Sequence, residues 1–171
     1  MIENVFDFDD TPVSKIMTSR MDITAVPDTS TLEEVLRVFE EEKFSRIPVY
    51  SGSIDNITGV LHSKDLIAIL KNCDKNTLFD LNSIAKPPYF VHTSKKTDEL
   101  FKELKLQKNH IAIVIDDFGG TSGIVTMEDL IEEIVGNIFD EYDEIIKDIE
   151  KTDDNTFLIN GSVRLDELGE F

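Results

Sequence analysis

The 171-residue sequence has no tryptophan and a single cysteine, Cys73. One thiol cannot close an internal disulfide, and with no second cysteine near it makes a poor metal site, so a reducing, cytoplasmic setting fits best. There is no run near the roughly 18 to 20 consecutive apolar residues that span a bilayer. The opening "MIENVFDFDD" is acidic, where a secretory signal begins basic. The expectation is a chain that neither crosses a membrane nor enters the secretory route by a signal of its own. Basic residues are also scarce: 17 Lys and Arg stand against 35 Asp and Glu, a formal net charge of −18. That balance opposes general attraction to nucleic acid or anionic lipid. An anionic ligand would need local donors or a divalent cation. The sequence also lacks G-x-S-x-G, G-x-x-x-x-G-K-[ST] and any histidine pair at metal-ligand spacing. "DFG" at 117–119 matches the metal-binding triplet of protein kinases, but neither an HRD loop nor a Gly-rich loop accompanies it, and it reads as a hairpin turn. No catalytic constellation emerges, and the chain is read as a non-enzyme.

What is present is repetition. At 40% hydrophobic residues the chain can bury one sizeable core or two small cooperating ones. A shift of 64 places "GVLHSKDL" (59–66) on "GIVTMEDL" (123–130) and "RIPVY" (46–50) on "HIAIV" (110–114). Further upstream the shift becomes 65, pairing "TLEEVLRVF" (31–39) with "KTDELFKEL" (96–104), as one residue of slippage in the joining loop would produce. Two copies of about 60 residues argue for two similar units packed together.

Each copy has the same order of elements. Leu32, Val35, Leu36 and Phe39 recur at helical spacing behind the capping-box start "STLE", which predicts a helix over 31–43. "RIPVY" and "ITGVLH" flank the turn cluster "SGSIDN" and read as a hairpin, after which a helix starts near Ser63. The second copy predicts a helix over 96–107, strands "IAIVI" and "SGIVT" around "DDFGG", and a helix from Met127 with an apolar stripe of Leu130, Ile131, Ile134, Val135, Ile138 and Phe139. Short sheets with helices on one face give an α+β fold in which neither half buries its sheet alone. Pro87-Pro88 blocks a helix in the segment between the copies. Beyond Tyr142 the helical pattern continues through Ile145, Ile146 and Ile149, and "TFLINGSVRLDELGEF" begins like a strand and a capped helix. The expected division is a linker (1–13), a first repeat (14–73), a connector (74–80), a second repeat (81–142), and a further linker with the opening of another domain (143–171).

Two readings of Thr126-x-x-Asp129 stand side by side. A threonine N-cap with an acidic residue at N3 closes the free amides of a helix start. The same geometry sets a hydroxyl and free N–H groups where a phosphate or sugar oxygen can sit, with a carboxylate able to accept from two ribose hydroxyls. The run 128–150 holds ten acidic residues and one lysine, and it reads as a solvated helix face or, alternatively, a metal site.

The pattern "PDTSTLEEVL", "SRIPVY", "GVLHSKDL" and "HIAIVIDDFGGTSGIVTMEDLIEEIVG" resembles the paired cystathionine-β-synthase (CBS) domains of the CorC/HlyC family, related to the cyclin M magnesium transporters. "VFDFDDTPVSKIMTSR" and "DEYDE" extend the likeness, and "FLINGSVRLDELGEF" resembles the start of the transporter-associated domain that follows. The resemblance implies a pseudo-two-fold CBS pair, a regulatory module that binds ATP or AMP between the repeats, with Mg²⁺ accompanying ATP. It also implies a flat homodimer and a membrane-embedded ion-transport domain as partner, with this part cytoplasmic. Carried over by residue, Asp129 takes the ribose hydroxyls and Thr126 offers a hydroxyl near the sugar or phosphate. Ser30, Phe44 and Ser45 stand beside the adenine, Arg46 reaches phosphate, and His110, counterpart of Arg46, lines either cleft. The second cleft would use Asp65, with His62 in place of the threonine. The resemblance leaves the carboxylates that meet Mg²⁺ undefined. The alternative is a docking and dimerisation module without nucleotide; in that reading Arg46 merely pairs with acidic surface, His110 is a strand-edge residue and Phe44 is core.

Overall fold

The computed structural model describes residues 10–72, 79–135, 149–153 and 156–159. The chain separates into two compact units, Met1–Asn137 and Ile138–Phe171. The second contributes a hairpin of β8 (Ile149–Asp153) and β9 (Thr156–Ile159). Ile149 is therefore in a strand and does not continue a helix from Tyr142, while the predicted strand at "TFLI" is present. Ile138, Phe139 and the expected helix after Gly161 lie outside the described residues.

In the first unit, helix α1 (Leu32–Glu42) leads to β3 (Arg46–Tyr50), β4 (Ile57–His62) and α2 (Ser63–Asn72). The second repeat matches it with α4 (Thr97–Gln107), β6 (Ile111–Ile115), β7 (Thr121–Thr126) and α5 (Met127–Val135). The cap of α1 sits one residue later than "STLE" suggests: Thr31 accepts from Glu34 N–H at 3.3 Å and Glu34 accepts from Thr31 N–H at 2.8 Å. Both α1 and α4 end on a lysine in the left-handed region, Lys43 and Lys108. The turn "DDFGG" closes as predicted, with Asp116 accepting from the amides of Phe118 and Gly120 at 2.9 and 2.8 Å.

Strand register corrects one alignment. Arg46 pairs with His62 and Ile111 pairs with Thr126. Ser63 N–H donates to Ser45 C=O and Met127 N–H to His110 C=O. The shift of 65 thus runs through the first strand of each hairpin, and the slipped residue lies in the hairpin turn. The counterpart of Arg46 is Ile111, and His110 answers to Ser45. Two interchangeable turns of unequal length hid this, because "RIPVY" fits "HIAIV" and "IAIVI" about equally well as apolar strand.

Each sheet is completed by chain from outside its own hairpin. The sheet β1-β7-β6-β5 takes β1 (Thr18–Ser19) from the start of the first repeat and β5 (Phe90–His92) from the segment ahead of α4. The sheet β2-β3-β4, with β2 (Val26–Pro27), is extended beyond β4 by a bridge between Val60 and Lys86. The cores follow this exchange. Val13 is buried with Leu100, Leu104, Val114, Val125 and Leu130, whereas Leu81, on the short helix α3 (Leu81–Ile84), is buried with Val35, Ile47, Leu61 and Leu66. Burying these β-branched and leucine side chains away from water is the main stabilising term. The helix stripe is narrower than periodicity suggests: Leu130 is buried, but Ile131 and Val135 are 40% and 43% exposed.

A polar junction holds the exchanged segment. Arg20, between β1 and β2, donates to both oxygens of Asp55 in the β3–β4 turn and to Thr121 C=O at 3.0 Å. Asp55 also accepts from Thr121 N–H at 3.1 Å. The Arg20 guanidinium, aided by that amide, holds the Asp55 carboxyl well below the ordinary carboxylate range. A depressed folded-state pKa contributes stability above the unfolded value, which is lost as pH falls through the folded one. The stability difference between wild type and Asp55→Asn, from urea midpoints, is therefore expected to hold steady from about pH 8 to 5 and to narrow below about pH 4. A difference that stays flat to the acid limit of folding would deny the carboxylate an ionic role.

Candidate functional site

Between the two sheets lies a cavity of about 380 Å³. Its walls combine Phe44, Ser45, Arg46 and Pro48 from the first repeat with His110, Ile111, Ile124, Thr126, Glu128 and Asp129 from the second. Six of the residues singled out from the sequence meet here: Phe44, Ser45, Arg46, His110, Thr126 and Asp129. Ser30 does not line it. That residue sits in the turn before α1, its N–H bonded to Pro27 C=O.

The segment before β2 adds Thr18, Asp22 and Thr24, and Lys43 comes from the end of α1. Sequence reasoning missed these four. Lys43 had a usable signal, since it immediately precedes Phe44. Thr18, Asp22 and Thr24 had none, because they reach the cavity only through the pairing of β1 with β7.

The helix start is built as a capping box. Asp129 Oδ2 accepts from Thr126 N–H at 2.7 Å, and Thr126 Oγ1 accepts from Asp129 N–H at 3.2 Å. Neither group is exhausted. The cap uses neither Asp129 Oδ1 nor the Thr126 hydroxyl proton. Opposite stands Arg46, whose Nε is buried and has no hydrogen-bond acceptor among the described residues. Its Nη1 is 3.9 Å from Glu128 Oε1, beyond hydrogen-bond range and weak as an ion pair with a largely exposed carboxylate. A buried donor without an acceptor costs about 1 to 3 kcal/mol, which an anionic ligand oxygen would relieve. Phe44 is 49% exposed, which makes it a lining surface and not a core residue.

His62 and Asp65 occupy the pseudo-symmetric position at the start of α2. Asp65 Oδ2 is buried with no hydrogen bond among the described residues but lies 3.1 Å from Lys86 Nζ. Burial, then the Lys86 and Arg46 charges, push the His62 imidazole below its ordinary value.

No cluster of three or more His, Cys, Asp or Glu side chains able to hold a metal occurs among the described residues. The carboxylates that line the cavity are Asp22, Glu128 and Asp129. No helix among the described residues is long and apolar enough to cross a membrane.

The CBS domain family description matches residues 13–72 and 80–136. Hemolysin C of Brachyspira hyodysenteriae is 40% identical over 171 residues, 100% of this chain and 62% of that protein. The magnesium and cobalt efflux protein CorC of Buchnera aphidicola subsp. Baizongia pistaciae is 39% identical over 170 residues, 99% of this chain and 60% of that one. The chain thus spans less than two thirds of either relative. Among solved structures, the CBS domain of the bacterial CNNM/CorC family Mg²⁺ transporter in complex with ATP matches with a TM-score of 0.73 and 45% identity, over 80% of this chain and 96% of that one.

Proposed function

Since the chain belongs to the CBS domain family, in its CorC/HlyC branch, we propose that it is a regulatory module binding an adenine nucleotide in the Asp129 cleft. The buried, acceptor-free Nε of Arg46 carries this reading, because capping and packing alone have no use for it. In the bound state Asp129 accepts from the ribose hydroxyls, Thr126 donates to a sugar or phosphate oxygen, and Arg46 with Lys43 faces the phosphates. Phe44 and Ser45 line the base, and His110 closes the wall. ATP carries about four negative charges, and bringing it to a chain of net charge −18 is unfavourable without compensation. Mg²⁺ supplies that compensation when bound, so ATP–Mg²⁺ is the favoured form, with AMP as the smaller competitor.

The partner of the module is a membrane-embedded ion-transport domain, for which CorC-type magnesium or cobalt transport is the natural assignment, and the module stands on its cytoplasmic side. Exposed Ile67 and Leu70 on α2, with Ile131, the counterpart of Ile67, and Val135 on α5, favour a homodimer across these helices. Nucleotide favours one arrangement of the repeats or of the dimer, by no more than its differential affinity for the two states. The module performs no catalysis.

Thermal unfolding with ATP, AMP and Mg²⁺ tests the reading. At about 100 times its dissociation constant, ATP–Mg²⁺ is expected to stabilise the fold by roughly 2.7 kcal/mol, while Mg²⁺ alone leaves the midpoint in place. If no nucleotide moves the midpoint, the same apolar helices make this a docking and dimerisation module. A midpoint raised by Mg²⁺ alone would instead assign metal sensing to the acidic run at 128–150.

A further inference from the structure

The corrected register allows the two clefts to be compared position by position. Thr18 pairs with Ile124 in one sheet, and Lys86 bridges to Val60 at the equivalent place in the other. Both crossing segments pass against the paired glycines, the one beside Gly123 more closely. A Cβ on Gly123 would meet Thr18 O and Met17 Sδ, and a Cβ on Gly59 would meet Ala85 Cβ and Lys86 O. Lys86 is therefore the structural counterpart of Thr18. Around Asp65, the places held near Asp129 by Thr126, Thr18, Arg46 and Phe44 are held by His62, Lys86, Ile111 and Asn109.

Near Asp129 the crossing strand contributes a short hydroxyl and leaves the carboxylate open. Near Asp65 it contributes a long cation, and the ammonium rests 3.1 Å from a buried carboxylate oxygen that has no hydrogen bond among the described residues. The Lys86 side chain is 49% exposed and that of Asp65 30%, so the ammonium can leave for water, but a sugar entering there would have to displace it and exchange a charged donor for neutral hydroxyls.

We infer that the Asp65 cleft is a closed copy of the nucleotide site in which the Lys86 ammonium is the resident ligand, taking the place of a ribose diol on Asp65. The inference rests on the nucleotide reading of the Asp129 cleft. It predicts one nucleoside site per chain, and it makes Lys86 the residue that keeps the second from opening. Because Ile111 stands where Arg46 stands in the other cleft, the closed copy also has no phosphate partner at that position. Its proper probe is an uncharged nucleoside.

Adenosine binding, counted per chain by equilibrium dialysis, decides the matter on wild type, Asp129→Ala, Lys86→Thr and Asp129→Ala/Lys86→Thr. Threonine is the residue at the equivalent position. The two main-chain hydrogen bonds between Lys86 and Val60, at 2.8 and 2.9 Å, do not involve the replaced side chain. Unfolding midpoints verify that each variant is folded. The expected counts are one, zero, two and one, the new site being the weaker and disappearing when Asp65→Asn is added. Retention of one site in Asp129→Ala would overturn the inference, because the Asp65 cleft would then bind with Lys86 in place. So would a double variant that stays at zero, because Lys86 would not be what closes it. Wild type at zero for both adenosine and ATP–Mg²⁺ sinks the nucleotide reading instead, and the inference falls with it only if Lys86→Thr also stays at zero.

Discussion

Gly123→Ala is expected to destabilise the first unit by about 2 kcal/mol, lowering its thermal midpoint by roughly 5 to 10 °C. A Cβ at this position would lie 2.4 Å from Thr18 O and 2.8 Å from Met17 Sδ. The nearer atom belongs to the backbone of β1, which is fixed by its pairing with β7, so it cannot swing aside as a side-chain tip would. Gly123 does not adopt a positive φ. Losing glycine's freedom should therefore favour alanine slightly, by restricting the unfolded chain, and any net loss reports the clash. Gly59→Ala is the graded comparison. Its Cβ would meet Ala85 Cβ at 2.6 Å and the nearest backbone atom, Lys86 O, at 3.3 Å, so a smaller loss is expected. A midpoint unchanged in Gly123→Ala would mean that β1 does not cross so closely. The glycines that open "GVLHSKDL" and "GIVTMEDL" are thus explained by packing: each lets a strand from elsewhere in the chain lie against its sheet.

That crossing marks the limit of what was legible in the sequence. Hydrophobic period and turn residues located both hairpins and the helices around them, because an alternating strand and a one-faced helix must bury their own apolar side chains. The exchange of Thr18–Ser19 and of Lys86 leaves no such trace. Two residues of strand carry no period, and Val13 and Leu81 look locally like the edges of the repeats that follow them, although each is buried in the other core. The cleft follows the same division. Residues on regular elements, Arg46, Thr126 and Asp129, were recognisable from motif and position. Thr18, Asp22 and Thr24 were not, since only the crossing segment brings them to the cavity. The one-residue misalignment of β3 with β6 is consequential, because it pairs Arg46 with His110 and conceals Ile111, which leaves the second cleft without a counterpart of Arg46.

Asp129→Asn is expected to separate the two roles that Thr126-x-x-Asp129 allowed from the outset. Oδ2 serves the helix cap, 2.7 Å from Thr126 N–H, while Asp129 lines the cavity and its Oδ1 is not needed for the cap. An asparagine can keep its single carbonyl oxygen on that amide, so the unliganded midpoint should stay within about 0.5 kcal/mol of wild type. The asparagine amide, however, offers donors where a ribose diol also offers donors, and the negative charge is gone. Hydrogen bonds to a charged group contribute about 1.5 to 3 kcal/mol, so ATP–Mg²⁺ affinity should fall by roughly 10- to 150-fold. Asp129→Ala should lose both, with a fall of about 1 kcal/mol in unliganded stability from the broken box and no measurable nucleotide-dependent stabilisation. Calorimetric titration of both variants beside their unfolding curves distinguishes the cases. If Asp129→Asn binds ATP–Mg²⁺ as wild type does, the carboxylate is a helix cap and nothing more. If it keeps its stability and loses its ligand, the oxygen that the cap leaves unused is the one that holds the sugar.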